Sequence, residues 1–343
     1  NGDTIVVAPG TYQEALLIDK NVTIRGDGPR EEVVVTGYED SAMWPQDGDL
    51  VCGYGSSGHP GCSVLISAAS PQLQDLTFSG DFAGVWTYGG APVIERVTFD
   101  GIGRPWRSTG PKSGESLVVG KGSLLVLRDS VFSGGRGVWL RSGSDARVEA
   151  NSLIDGAGLS VDAAGPETVV RGNHLSGRGI DIWGVTGALI EGNTIEGALN
   201  TAIDIGEVQF AGPARGTAPI IRDNVLLDSG RNGIIVGSQA APVIEGNRVV
   251  GSPLGIQVGQ SSAVVRDNEI TDVATGIVVV SGGDPTISGN TVDASGRGIV
   301  AGARTSPVID GNTVCGGDAS IFVNDAATPE LGQNQTCEDG ATG

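Results

Sequence analysis

Histidine, cysteine, methionine and aromatic side chains are all scarce in this chain of 343 residues, and so is positive charge. Lysine and arginine number 21 against 40 acids, a net charge of −19, which excludes a general nucleic-acid binder, whose electrostatic footprint is basic. With only His59 and His174, a histidine-dependent mechanism has little to stand on, and His174, beside a repeated asparagine, reads as a turn or surface residue. No apolar run approaches membrane length, so no transmembrane segment is expected. What the chain has in quantity is glycine, 57 residues of it, and its placement is periodic.

An asparagine recurs in a fixed context: Val-Glu-Ala-Asn151, Val-Arg-Gly-Asn173, Ile-Glu-Gly-Asn193, Ile-Arg-Asp-Asn224, Ile-Glu-Gly-Asn247, Val-Arg-Asp-Asn268, Ile-Ser-Gly-Asn290 and Ile-Asp-Gly-Asn312, with Asn334 as a weaker copy. The steps between them are 22, 20, 31, 23, 21, 22, 22 and 22 residues, a period that belongs to a stacked array. A second phase follows each asparagine, as in Gly158-Leu-Ser-Val, Gly179-Ile-Asp-Ile, Gly233-Ile-Ile-Val, Gly255-Ile-Gln-Val, Gly276-Ile-Val-Val and Gly298-Ile-Val-Ala. Both phases alternate with period two and read as short strands. Inward asparagines at one turn of each coil can pass amide hydrogen bonds along the stack. The expected fold is therefore all-β, a single-stranded right-handed parallel β-helix of about 12 coils of roughly 22 residues. An array grows by adding coils, so residues 1–343 are expected to form one domain despite the length.

Strands are expected at residues 4–8, 22–25 and 32–36, and the register runs back through Leu73, Ile94 and Leu127 as inward positions, with Leu76, Val97 and Ser130 in place of the asparagine. Three loop insertions interrupt it, at residues 38–62, 101–114 and 206–217; insertions in a repeat map to loops, often on the binding face. Cys315 and Cys337 each stand three residues after their coil's asparagine position, so they should sit one above the other at a bridgeable separation. Cys52 and Cys62 can close the first loop. Placeable pairs imply an oxidising compartment, hence secretion or cell-surface display.

These repeats, with the opening Gly2-Asp-Thr-Ile-Val-Val-Ala-Pro-Gly-Thr-Tyr12 and Val22-Thr-Ile-Arg-Gly-Asp-Gly28, resemble the pectate-lyase-like superfamily of secreted right-handed β-helix proteins over essentially the whole chain. The resemblance implies the fold; the scaffold hosts lyases, hydrolases, esterases and non-catalytic surface proteins. Family members usually carry a capping helix in front. None is visible here, nor is a signal peptide, so a mature form or a fragment of a larger protein is expected. The polygalacturonase set Asn-Thr-Asp, Asp-Asp, Gly-His-Gly and Arg-Ile-Lys is missing. The Asp-Phe-Ile-Phe-Gly signature of pectin methylesterases is absent too, with Thr201-Ala-Ile-Asp204-Ile-Gly206 a faint echo.

Function is read from the outward positions. Alternation makes the residue between the two apolar positions of the Gly-Ile-x-Val phase point out, giving a first row of Leu65, Trp86, Val118, Trp139, Ser160, Asp181, Asp204, Ile235, Gln257, Val278, Val300 and Phe322. Two residues on, a second row holds Tyr88, Gly120, Arg141, Asp162, Trp183 and Gly206. Trp86, Tyr88, Trp139 and Trp183 on these rows, with Trp106 and Glu207 in the loops, are the expected sugar-binding residues, because flat aromatic faces beside polar groups suit pyranose rings. Asp181 and Asp204 occupy the same position in consecutive coils, with Asp162 on the neighbouring row. Like charges across a ladder are destabilising. Such a pair fits acid and nucleophile roles in glycoside hydrolysis, attack on an ester, or Ca²⁺ ligation near Asp162, Asp181 and Asp204.

From Arg96 to Arg147 nine cations face four acids, a basic segment suited to an anionic polysaccharide such as a uronan. Lyase chemistry there would need a cation, for which Arg141 and Arg178 are nearest. The sequence thus points to a secreted polysaccharide-binding and polysaccharide-cleaving protein of hydrolase or uronan-lyase type, with Asp181, Asp204, Asp162, Arg141 and Arg178 as catalytic residues. The competing class is a non-catalytic cell-surface or filament-forming repeat protein that self-associates through an apolar strip of Ile235, Val278, Val300 and Phe322.

Overall fold

The computed structural model describes residues 2–37, 62–80, 83–102, 115–184, 187–206, 217–237 and 239–337. The chain is described as two compact units, 1–175 and 176–343. Both are parallel β-solenoids, and the described residues contain no α-helix, only a 3-10 turn at Arg30–Glu32.

Each coil of a unit contributes up to three short strands, and each strand pairs in parallel with its counterpart in the next coil. In the first unit one stack runs from Thr4–Val7 through Thr23–Gly26 and Val93–Glu95 to Val169–Arg171. A second runs from Gly10–Gln13 to Ser152–Ile154, and a third from Leu16–Ile18 to Gly158–Asp162. The strands Gly10–Gln13 and Leu16–Ile18 are additions to those expected. In the second unit the corresponding stacks begin at Leu189–Glu191, Thr194–Glu196 and Ile180–Trp183. The expected register holds: Ile94 pairs with Leu73 on one side and Leu127 on the other, and all three are buried.

The asparagine ladder is present and buried. In the second unit Nδ2 of Asn224, Asn247, Asn268, Asn290 and Asn312 each donates to Oδ1 of the asparagine one coil on at 2.9 Å. The same Oδ1 also accepts the preceding asparagine's backbone N–H, and each Nδ2 reaches a strand carbonyl as well, Ile221 O from Asn247. In the first unit Asn151 joins Asn173 in this way, and Ser130 extends the run: its N–H donates to Asn151 Oδ1 while its Oγ accepts from Val97 N. The residue before each asparagine from Asn151 to Asn312 turns the chain with positive φ, 55° at Asp223 and 63° at Gly246. That conformation is open to glycine and tolerated by aspartate, which is why Gly or Asp recurs there.

Two residues before the ladder position, from Glu95 to Arg171 and from Glu191 to Arg266, the side chains alternate in charge from coil to coil. Glu95, Arg128, Glu149 and Arg171 are successive partners in the first unit, and Glu191, Arg222, Glu245 and Arg266 in the second. Arg222 donates to Glu191 at 2.7 Å and Arg266 to Glu245 at 2.8 Å. Opposite charges thus meet across every rung of these runs, the favourable case for a ladder.

The first unit's core also holds a file of stacked rings, Phe78, Phe99 and Phe132, with centroids 5.4 and 4.5 Å apart. At the far end of the second unit Cys315 and Cys337 form the expected disulfide, Cα atoms 4.9 Å apart. Cys52 lies outside the described residues. Closing a loop of 22 residues constrains the unfolded chain by about 3 kcal/mol. Cys315→Ser should therefore lower stability by about that amount, with hydrogen exchange rising in residues 313–337 and little changed near Asn224.

Candidate functional site

In the second unit Ile180–Trp183 pairs with Thr201–Gly206, matching Ile180 with Ile203, Asp181 with Asp204, Ile182 with Ile205 and Trp183 with Gly206. The four isoleucines are fully buried and fix which way the strands face, so the two aspartates turn out on neighbouring rungs about 4.8 Å apart. Both are half-buried, and among the described residues no hydrogen bond or ion pair reaches either carboxyl group. Burial, and then the charge of Asp181, push the Asp204 carboxyl up to about 6. Burial also raises Asp181, but the nearby Arg178 guanidinium opposes the rise. Arg178 itself is exposed. The two carboxyls are thus identical in chemistry and unequal in environment.

Beside them, Trp183 is exposed at 37%, and its benzo ring fills the space a side chain on Gly206 would need. Thr217, buried and not singled out from sequence, places its hydroxyl within hydrogen-bonding reach of Gly206 O at 3.1 Å and of Gly184 O, tying down both strand ends. The signal for it was thin: a threonine at the end of an insertion, in no recurrent context.

In the first unit the outward row has the expected register, Leu65 with Trp86, Trp86 with Val118, Val118 with Trp139, but not the expected openness. Trp86, expected as an exposed sugar subsite, is buried at 5%. It stacks with Leu65 and Val118 into an apolar cluster of its own, with Ala15, Tyr88 and Trp139 packed against it. Large apolar residues in register on adjacent rungs shield one another, and that buries them on a face alternation alone would leave to solvent. Trp139 is half-buried and already partnered: the Arg141 guanidinium lies 4.9 Å from its ring centroid. Burial raises the Asp162 carboxyl, while Arg141 and a hydrogen bond from Trp139 pull the other way. Asp162 and Arg141 thus hold Trp139.

Three cations of the basic segment from Arg96 to Arg147 are paired with carboxylates, two of them with acids that precede the segment. Arg96 donates to Asp75 at 2.8 Å and Glu95 at 2.7 Å, Arg128 donates to Glu95 at 2.6 Å, and Arg136 reaches Glu115 at 3.3 Å. Burial alone would raise Glu95, but the two guanidinium hydrogen bonds outweigh it and hold the carboxyl below its ordinary value. Arg104, Trp106, Arg107, Lys112 and Glu207 lie outside the described residues. Among the described residues no three histidine, cysteine or acidic side chains are gathered closely enough to hold a metal ion, so the Ca²⁺ site expected near Asp162, Asp181 and Asp204 finds no ligand cluster there.

The apolar strip of the second unit is also less open than expected. Val300 is buried at 8%, Ile235 and Val278 are half-buried, and Phe322 lies under the Arg297 guanidinium, 3.8 Å from its ring centroid. Among the described residues no helix is long and apolar enough to cross a membrane.

A family model described as the right handed beta helix region matches residues 56–207 and 213–338. No curated protein sequence matches the chain. Among solved structures the chain is similar to the catalytic unit of a thermostable GH87 α-1,3-glucanase from Streptomyces thermodiastaticus, with 18% identity and a TM-score of 0.57 over 99% of this chain. It spans 65% of that enzyme's chain, under two thirds of its length. It is similar also to the A-module of the Azotobacter vinelandii mannuronan C-5 epimerase AlgE6, with 16% identity, a TM-score of 0.55, and 98% and 91% of the two chains covered. A mannuronic-acid-specific family 6 polysaccharide lyase from human gut microbiota gives 17% identity and a TM-score of 0.53, covering 98% and 81%. At these identities the likeness is one of fold.

Proposed function

The chain belongs to the right-handed β-helix family, and from that premise we propose that it binds a polysaccharide outside the cell and cleaves it with Asp181 and Asp204. The observation that carries the reading is the inequality of two carboxyls on neighbouring rungs. A pair whose environments separate their proton affinities supplies an acid and a base or nucleophile at one pH. Asp204, raised to about 6, serves as the acid, and Asp181, raised by burial but drawn back by Arg178, serves as the base or nucleophile. Asp204 gives its proton to the glycosidic oxygen as the C–O bond breaks, while a carboxylate oxygen of Asp181 bonds to the anomeric carbon. Water, deprotonated by Asp204, then releases the sugar and regenerates both groups. The close spacing of adjacent rungs corresponds to the short carboxyl separation of retaining enzymes.

Further support comes from the company the fold keeps, since the similar structures are an α-1,3-glucanase, a mannuronan epimerase and a mannuronic-acid-specific lyase. The Cys315–Cys337 disulfide supports an oxidising compartment. In the first unit the Trp139, Arg141 and Asp162 cluster, with Arg141 committed to the indole, favours carbohydrate contact over proton transfer.

The test is reducing-end release from a panel holding α-1,3-glucan, β-glucans and mannuronan, with the protein and its Asp181→Ala/Asp204→Ala variant. Release by the first and not the second, with the anomeric configuration retained, is the expected result. An unsaturated product, or equal release by both proteins, overturns the proposed chemistry.

A further inference from the structure

Gly206 stands where the second outward row passes from Trp183 to the next rung. Its φ is not in the left-handed region, so no backbone demand calls for glycine. The demand is for space: a Cβ there would meet Trp183 Cζ3 at 2.7 Å and Cε3 at 2.9 Å, closer than real Cβ contacts come, and Cη2 at a tight 3.2 Å. The six-membered ring of the indole therefore leans across the neighbouring strand because that strand carries no side chain, and it covers Gly206 while keeping its own outer surface exposed. The first unit has a related arrangement at the same row: a Cβ on Gly120 would stand 2.7 Å from Cδ1 and Cε1 of Tyr88, and as close to the backbone Thr87 O. An aromatic ring over a strand glycine recovers packing the glycine forgoes. Tyr88, however, is drawn against the buried Leu65, Trp86 and Val118 cluster, whereas Trp183 remains open.

On this face Asp181 lies two residues from Trp183 and Asp204 two residues from Gly206, so the indole and the carboxyl pair form one two-by-two patch. An exposed aromatic face next to hydrogen-bonding carboxyls matches a sugar, whose CH face stacks while its hydroxyls donate. The charge of the patch selects further. Arg178 is the cation that acts on Asp181, while in this unit Arg222 and Arg266 are bound to Glu191 and Glu245. Among the described residues, Arg178 is the cation a uronate carboxylate would find to offset the Asp181 anion.

We propose that Gly206 is a specificity-determining position, which sets Trp183 across two rungs as the stacking platform for an uncharged pyranose beside Asp181 and Asp204. The proposal rests on the polysaccharide reading of this pair, but binding alone tests it. The Trp183 indole N–H resonance would be followed during titration with α-1,3-, β-1,3- and β-1,4-linked gluco-oligosaccharides and with oligomannuronate, in an Asp204→Asn background so that nothing is turned over. One or more gluco-oligosaccharides should shift the resonance, and oligomannuronate should bind more weakly. Gly206→Ala should weaken the preferred oligosaccharide about tenfold with an unchanged fold by circular dichroism, and in calorimetric titrations Trp183→Phe should weaken it less than Trp183→Ala. Gly206→Ala binding as tightly as its parent, a resonance unmoved by every gluco-oligosaccharide, or tighter binding of oligomannuronate would each overturn it. These shifts in the variant, from a parent protein that cleaves none of the oligosaccharides, would instead count against the catalytic reading alone.

Discussion

Replacing Asp204 with asparagine should abolish most turnover, by about 10²- to 10⁴-fold in kcat, and should make the fold harder to melt above pH 6. The two effects have one origin. Burial and the neighbouring Asp181 raise the Asp204 carboxyl from 3.8 to about 6, so the folded protein holds that proton more tightly than the unfolded chain does. A group raised on folding contributes stability that is fully present below the unfolded value and lost as pH rises through the folded one. Between about pH 4 and pH 6 the parent protein therefore gives up stability that asparagine, always neutral, does not. Thermal melts of the two proteins should converge at low pH and separate above it, with the variant higher. The parent's activity should in turn fall as pH rises through about 6, where the acid loses its proton. A variant that is less active but no more stable at neutral pH would mean that Asp204 is not held under strain, and the assignment of acid to Asp204 would fail.

The second large effect concerns the fold. Asn247 donates from Nδ2 to Asn268 Oδ1 and to Ile221 O, both at 2.9 Å, and its Oδ1 accepts from both the backbone N–H and the Nδ2 of Asn224 at 3.1 and 2.9 Å. Alanine there removes these bonds and leaves the Asn224 N–H facing a dry interior, where each buried group without a partner costs about 1–3 kcal/mol. Asn247→Ala should destabilise the second unit by roughly 3–5 kcal/mol in urea titrations. Asn334→Ala, at the partly buried end of the ladder, should cost about 1 kcal/mol. Equal losses at the two positions would show that the ladder is not what holds the coils in register.

Those asparagines, and the strands around them, were legible because a stacked array repeats its physical problem every coil: the same backbone groups need the same amide, and the turn before it needs Gly or Asp. The facing of Asp181 and Asp204 followed from the same register. What neighbours do to each other across rungs did not. Alternation says which face Trp86 takes, not that Leu65 and Val118 will close over it. Composition counts Arg96 and Arg128 as cations without revealing that both are spent on Glu95. The aromatic followed by glycine at one row, Tyr88 then Gly120 and Trp183 then Gly206, was visible as a pattern, but its meaning depends on a ring crossing to the next strand.

The alternation of Glu191, Arg222, Glu245 and Arg266 constrains how such a molecule can change length. Excising a single coil between Arg222 and Arg266 would bring those two guanidinium groups opposite each other, and duplicating one would set like against like in the same way. Removing or inserting two coils together restores every pairing. Through this stretch the gene can lengthen or shorten most readily in even steps, so relatives differing by an odd number of turns should carry a neutral residue where the sign would otherwise repeat.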